Sequence, residues 1–403
     1  MGVPRLSRRL LSGIAFIGIS AVLAAGCGSP QEAATGGAPA DETPYKVGLI
    51  YSQSGALASY GEQYAQGFRA GLAYATNGTN KVGTHPVEVT EVDDAGDPAK
   101  AVSAAKDLVG KGVKILAGST ASGVGLQVAP IAAQNKVLFI SGAAATDGLT
   151  GKNKYTFRSG RQSYQDVLTA KSFIGNAAGK KVLVFAQDTA FGQANVAAVK
   201  AVLGGDGAEV KEILVPGTAN EFTTFAKQAL DERANLLFVA WAGTTAPAMW
   251  QSLDQQGVLA STTVVTGLDI RASWPTFGAA GTKISFLAHY FDGASTGPAY
   301  DALKQAVPGG KVDLFHPDGF TAAQMIVHAL EASGTDVDAM ITSLEGWSFD
   351  GVKGRTTVRA EDHALLQPMY QAKLTGTGAD LKAELVKALS AAEATPPAVT
   401  FAE

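Results

Sequence analysis

Apolar and polar positions follow one rhythm along most of the chain. Short apolar runs closed by small polar residues alternate with longer stretches of helical spacing. Lys46–Tyr51 is the first such run, and Glu62–Thr76 follows with Tyr64, Phe68, Gly71, Leu72 and Ala75 on one helical face. Strands are predicted at Val87–Val92, Val113–Ala117 and Val137–Ile140, with helices at Ala99–Val109 and Val124–Gln134 between them. After an irregular join at Phe157–Gly160 the alternation begins again. Strands at Lys181–Ala186, Val210–Val215, Asn235–Trp241 and Thr263–Thr266 are separated by helices at Phe191–Leu203, Phe222–Asp231 and Pro247–Gln256. The fold class is therefore α/β, and two runs of alternation imply two doubly wound lobes.

The later chain is less regular. Ile284–His289 reads as a strand, Tyr300–Ala306 and Gly319–Ala332 as helices, and Trp347–Phe349 with Arg355–Val358 as a hairpin. Gln367–Leu374 is read as the last strand and Lys382–Leu389 as a closing helix.

Two loops stand out, Gly118–Gly123 and Ser141–Thr146. Both lie at carboxyl ends of strands, where open α/β sheets bind ligands, and neither has a bulky side chain to block close approach. The first opens a helix whose free N–H groups and dipole favour an anion such as a carboxylate. Tight βα turns also use small residues. Asp93-Asp-Ala-Gly-Asp-Pro98 has too little calcium-loop spacing to be a metal site, and Asp97-Pro98 suits a helix cap.

The first 27 residues read as a processing signal: Arg5, Arg8 and Arg9 precede an apolar run ending in Leu23-Ala-Ala-Gly-Cys27. That ending resembles a bacterial lipobox, which implies lipidation at Cys27; Ser7–Leu11 also resembles a twin-arginine export signal. The apolar run is short for a membrane span. Residues 28–43 read as a flexible tether. Cys27 is the only cysteine, so neither an intrachain disulfide nor a cysteine metal site is available. A net charge of −4 lacks the basic face that nucleic acid requires.

With these marks in place, Lys46 to Leu374 resembles the type I periplasmic binding proteins of the branched-chain (Leu/Ile/Val) amino acid-binding family. Tyr60-Gly61, Asp93–Pro98, Gly118–Gly123, Ser141–Thr150, Arg359–His363 and Pro368-Met-Tyr370 carry the likeness. It implies two lobes joined by three crossovers, near 157–160, 288–291 and 349–354. Lobe one would hold 44–157 with 290–349, and lobe two 158–289 with 350–403. A monomer tethered by the Cys27 lipid to the outer face of the cytoplasmic membrane would deliver its ligand to an ABC permease and its ATPase. No catalysis, cofactor or metal is implied. By the same resemblance, Ser122, the backbone of Ala143 and Ala144, and Thr146 would hold the ligand's carboxylate. The family's threonine itself falls on Ala145, so either the loop shifts and Thr146 serves, or one hydroxyl donor is missing. Tyr60, Phe191, Trp241 and Phe315 would supply aromatic cover, and the last three also suit core packing. Asp269, at the end of a strand, would meet an ammonium group, although it also suits a turn cap.

Other readings differ in ligand or class. The aromatic residues also suit a planar aromatic acid, relatives of this fold take amides or urea, and a sensor would look the same in sequence. Gly293-Ala-Ser-Thr-Gly297 matches a hydrolase nucleophile pattern, but no strand directly precedes Ser295 and Gly297-Pro298 breaks the chain after it.

Overall fold

The computed structural model describes residues 41–402. The expected signal sequence, Cys27 and most of the tether lie outside the described residues. None of the described helices is long and apolar enough to cross a membrane.

A first sheet contains β1 (Tyr45–Tyr51), β2 (Lys81–Val82), β3 (His85–Asp93), β4 (Ile115–Gly118), β5 (Leu138–Ser141) and β6 (Thr156–Arg158). Their spatial order is β2-β3-β1-β4-β5-β6, parallel except for the short β2–β3 pair. Helices α1 (Ala58–Ala75), α2 (Pro98–Gly110) and α3 (Ser122–Asn135) connect the strands. The apolar runs of β1, β4 and β5 are buried on both faces, as parallel strands covered by helices must be.

A second sheet follows, with β7 (Lys181–Asp188), β8 (Glu209–Pro216), β9 (Leu236–Ala240), β10 (Thr263–Gly267) and β11 (Ser285–Ala288). Helix α4 (Ser163–Ile174) leads into it. The helices within it are α5 (Ala190–Val199), α6 (Thr223–Asp231), α7 (Ala246–Gln255) and α8 (Val258–Ser261). The chain then adds α9 (Pro298–Ala306), α10 (His316–Ser333) and α11 (Val337–Leu344). A small antiparallel sheet of β12 (Ser348–Gly351), β13 (Gly354–Val358) and β14 (Leu365–Leu366) comes next. Finally β15 (Met369–Thr375) and β16 (Lys382–Leu389) join the second sheet, whose order is β16-β15-β11-β10-β9-β7-β8.

Two points differ from the sequence reading. Lys382–Leu389 is a strand, not a helix. Its Ala, Lys, Glu and Leu content favours a helix, but the turn at Gly376 (φ +84°) returns the chain antiparallel along β15, and pairing overrides propensity. Leu385 and Val386 of this edge strand are 46% and 49% exposed. Second, Phe349, Val358 and Leu365 pack in the same apolar core as β1 and α1, so the small sheet leans on the first sheet rather than joining the second.

Both parallel sheets share one topological feature. β3-β1-β4 in the first and β8-β7-β9 in the second reverse strand order at the first strand of each alternation. Such a switch point leaves a crevice at the carboxyl ends of the strands, where neighbouring connections leave toward opposite faces. Loops 52–57 and 119–121 border the first crevice, and residue 189 with 241–245 the second.

Candidate ligand-binding cleft

One cleft lies against both switch points. Its outer half, about 1070 Å³ of space, meets Ala56, Thr120, Ser122, Ala143 and Ala145 on the first side and Gln187, Thr189 and Ala190 on the second. Its inner half, about 540 Å³, reaches Trp241, Asp269, His289 and Asn195. Tyr60, Arg161, Phe191, Ala242 and Phe315 line both halves.

The first wall is built to present N–H and O–H groups. Ser122 is the first residue of α3, whose N-cap position is Ala121 with no side-chain cap, so the helix's leading amides remain unspent. The Ser122 hydroxyl oxygen accepts from the Thr146 amide at 3.2 Å, which leaves its proton available to donate. The neighbouring loop is held from behind by its carbonyls. Arg161 Nη1 donates to the Ala143 carbonyl (3.1 Å) and Arg158 to those of Ala144 and Thr146 (2.8 Å each). The Ser163 amide and hydroxyl take the Ala145 carbonyl. With four successive carbonyls occupied, the loop has only amides left to offer, and those of Ala143 and Ala145 make no hydrogen bond among the described residues. An anion fits such an arrangement.

The second wall carries the opposite polarity. β10 ends at Gly267, and Asp269 follows with its carboxylate at the inner half of the cleft. Its Oδ1 accepts from the Tyr60 hydroxyl and from the Ile270 amide, both at 2.7 Å. Burial pushes the Asp269 carboxyl above the usual carboxylate range, and hydrogen bonding from Tyr60, Ile270 and Ser273 only partly opposes it. No Lys or Arg forms an ion pair with Asp269 among the described residues. Trp241 donates its indole N–H to Thr245 Oγ1 (3.0 Å) and stacks on Phe185, so one edge is core and the other lines the cleft. Phe191 stands at the second position of α5.

Tyr60 spans the walls. From α1 it packs on Phe315 with ring centroids 4.5 Å apart, donates to Asp269 and accepts the Gly243 amide at 3.3 Å. Behind the cleft is a buried ionic cluster. Asp318 lies 3.7 Å from Lys353 Nζ and 3.5 Å from His289 Nε2, with Arg161 and Asp166 close by. Burial pushes Asp318 up to about 6, although Lys353, Arg161 and Arg158 pull it down. It also lowers Lys353 to about 8 against the pull of Asp318.

Of the residues singled out in the sequence, Tyr60, Ser122, Ala143, Phe191, Trp241, Asp269 and Phe315 line this cleft. Ala144 and Thr146 stand behind its surface: the Ala144 amide donates to the Ser119 carbonyl, and Thr146 Oγ1 accepts the Gly148 amide. Ala145 lines the wall instead, so this loop brings no hydroxyl to it. Arg158 and Arg161 were not singled out, although two arginines three residues apart at the end of the apolar strand Thr156–Arg158 were visible. The aspartates of 93–97 serve local turns: Asp97 caps α2, Asp94 takes Ser52 Oγ and the Gly96 amide, and Asp93 gathers the amides of Gln53, Ser54 and Ala95. Ser295 donates to the Val352 carbonyl and not to a histidine.

Comparison with known proteins gives the following. The family model described as "Periplasmic binding protein" matches residues 44–379. The Leu/Ile/Val-binding protein BraC3 of Rhizobium johnstonii is 26% identical over 319 residues, 76% of this chain and 85% of the relative. A crystal structure of an ABC-type branched-chain amino acid transporter from Rhodopseudomonas palustris is similar at a TM-score of 0.73 and 30% identity, covering 88% of this chain and 99% of that one. An R. palustris solute-binding protein in complex with 4-hydroxybenzoate shares the fold at a TM-score of 0.78 and 23% identity, covering 86% and 97%.

Proposed function

The chain belongs to the periplasmic binding protein family, in the branch of the Leu/Ile/Val-binding proteins that serve ABC transporters, and we propose that its cleft takes a free amino acid with an apolar side chain. The observation that carries this reading is the opposed polarity of the walls. Ser122, the start of α3 and the Ala143 and Ala145 amides suit a carboxylate, and Asp269 is a buried carboxylate without a cationic partner among the described residues. A zwitterion satisfies both at once. A plain acid would leave Asp269 uncompensated, which is costly in a desolvated site.

Binding in this reading closes the two lobes about the connecting segments, and the closed form is what a permease recognises. Residues 44–157 and 290–349 form lobe one and 158–289 with the chain's end form lobe two. The packing of Val358 and Leu365 supports moving the third crossover to the β14–β15 junction. Cys27 carries the lipid in the same account, and an intact mass of the membrane-extracted protein tests this. A chain beginning at Cys27 with an added diacylglyceryl group is expected, and an unmodified Cys27 contradicts it.

A second reading, an aromatic acid, is favoured by the convergence of Tyr60, Phe191, Trp241 and Phe315 on one cleft. A thermal-shift panel of the standard amino acids, their deaminated acids and aromatic acids separates the two. A ligand that binds only the folded state raises the midpoint. A rise with apolar amino acids and not with their deaminated acids supports the first reading; a rise with aromatic acids alone supports the second.

A further inference from the structure

We infer that Arg161 is the cation that selects a carboxylate-bearing ligand, so the cleft takes acids and rejects the corresponding amides and urea. This deepens the reading above in its carboxylate half only; it holds for amino acids and for aromatic acids alike.

Arg161 follows β6 where the chain leaves the first sheet for α4, and it lines both halves of the cleft. Its side chain is 11% exposed. A guanidinium offers five N–H donors in a planar fork. One is committed, from Nη1 to the Ala143 carbonyl at 3.1 Å. Asp166 Oδ2 forms an ion pair with Nε at 3.3 Å, while Asp166 Oδ1 is buried without a hydrogen bond. The pair is therefore a one-point contact instead of the two-point fork that arginine and carboxylate favour. Phe315 lies under the guanidinium, its ring centroid 6.0 Å from Cζ, which limits swing away from the cleft.

The remaining donors of Arg161 sit on the same side of the cleft as the Ser122 hydroxyl and the Ala143 and Ala145 amides, since its own Nη1 is bonded within that loop. Apart from Asp166, which lines the inner half beside Arg161, the groups there donate. A carboxylate accepts through both oxygens and adds negative charge beside a guanidinium that Asp166 meets at one point only. A carboxamide turns an NH2 toward donors and brings no charge, and urea brings two such groups.

The test is calorimetric titration of the full-length protein in detergent with L-leucine, L-phenylalanine and 4-hydroxybenzoate, each beside its amide. Whichever acid binds is expected to do so on the order of 100-fold more tightly than its amide. Arg161→Gln is expected to remove most of that ratio by weakening the acid and leaving the amide within a few-fold, and Arg161→Lys to fall between. A structural role alone would weaken acid and amide together, which would overturn the inference. So would an amide equal to its acid in the wild type, or no binding by any acid at millimolar concentration. The acid–amide ratio in the wild type needs no variant and stands even if Arg161→Gln fails to fold. The ammonium role of Asp269 fails by a different result, equal binding of leucine and 4-methylpentanoate.

Discussion

The two lobes present the same geometry and opposite chemistry to the cleft. In each, the first helix after the leading strand carries an aromatic–glycine pair, Tyr60-Gly61 on α1 and Phe191-Gly192 on α5. A Cβ at Gly61 would sit 1.9 Å from the Ser52 carbonyl oxygen, and one at Gly192 would sit 1.8 Å from that of Gln187. The glycine lets helix and strand-end loop touch, and the aromatic is thereby delivered to the cleft. Beyond that the lobes part. The first wall offers amides, hydroxyls and Arg161, whose charge is met on one point by Asp166, whereas the second holds Asp269, which has no cationic partner among the described residues, and Trp241. Shared topology fixes where the cleft lies; the residues added at the strand ends fix its polarity.

Asp269→Asn attacks the comparison hardest. It should weaken binding of an amino acid on the order of 100-fold and that of the deaminated acid by less than about 3-fold, read by calorimetry. Equal loss for both would end the ammonium role. Gly192→Ala and Gly61→Ala test the shared scaffold. Each forces a methyl into a backbone carbonyl and should lower unfolding free energy by about 1–3 kcal/mol in urea titrations. A neutral result at either would mean the helix can move off its loop. Ser122→Ala removes one donor from the first wall and should cost about 10-fold for amino acid and deaminated acid alike. A loss confined to one of them would place that hydroxyl elsewhere on the ligand.

The smallest effect concerns pH. Asp318 titrates at about 6 in the fold against an ordinary 3.8, so its raised value favours the folded state at low pH. That contribution is full below about 3.8 and is lost as pH rises through about 6. Stability relative to Asp318→Asn should therefore improve between pH 7 and 5 in melting experiments. A flat difference would contradict the assignment.

Much of the scaffold was legible because buried parallel strands leave unbroken apolar runs, and the small-residue loops at 118–123 and 141–146 betrayed close backbone approach. Asp269 was legible as a carboxylate placed just past an apolar strand. Other features were written in pairings that no local pattern holds. Strand β16 has a helical composition and is a strand only because β15 lies beside it. The short helix α11 shows too few turns to stand out. Arg158 and Arg161 act by holding carbonyls of a loop up to 18 residues away. The sequence therefore singled out Ala143 and Ala144 as parts of one loop, but not which of its faces is turned to the cleft.

The central claim is that each wall holds one end of a zwitterion. Its most direct test is calorimetric titration of the wild-type protein with L-leucine, 4-methylpentanoate and 3-methylbutan-1-amine, the last two lacking one charged group each. The account predicts that both stripped compounds bind on the order of 100-fold or more below leucine. Either of them matching leucine would contradict it and name the wall that makes no contact.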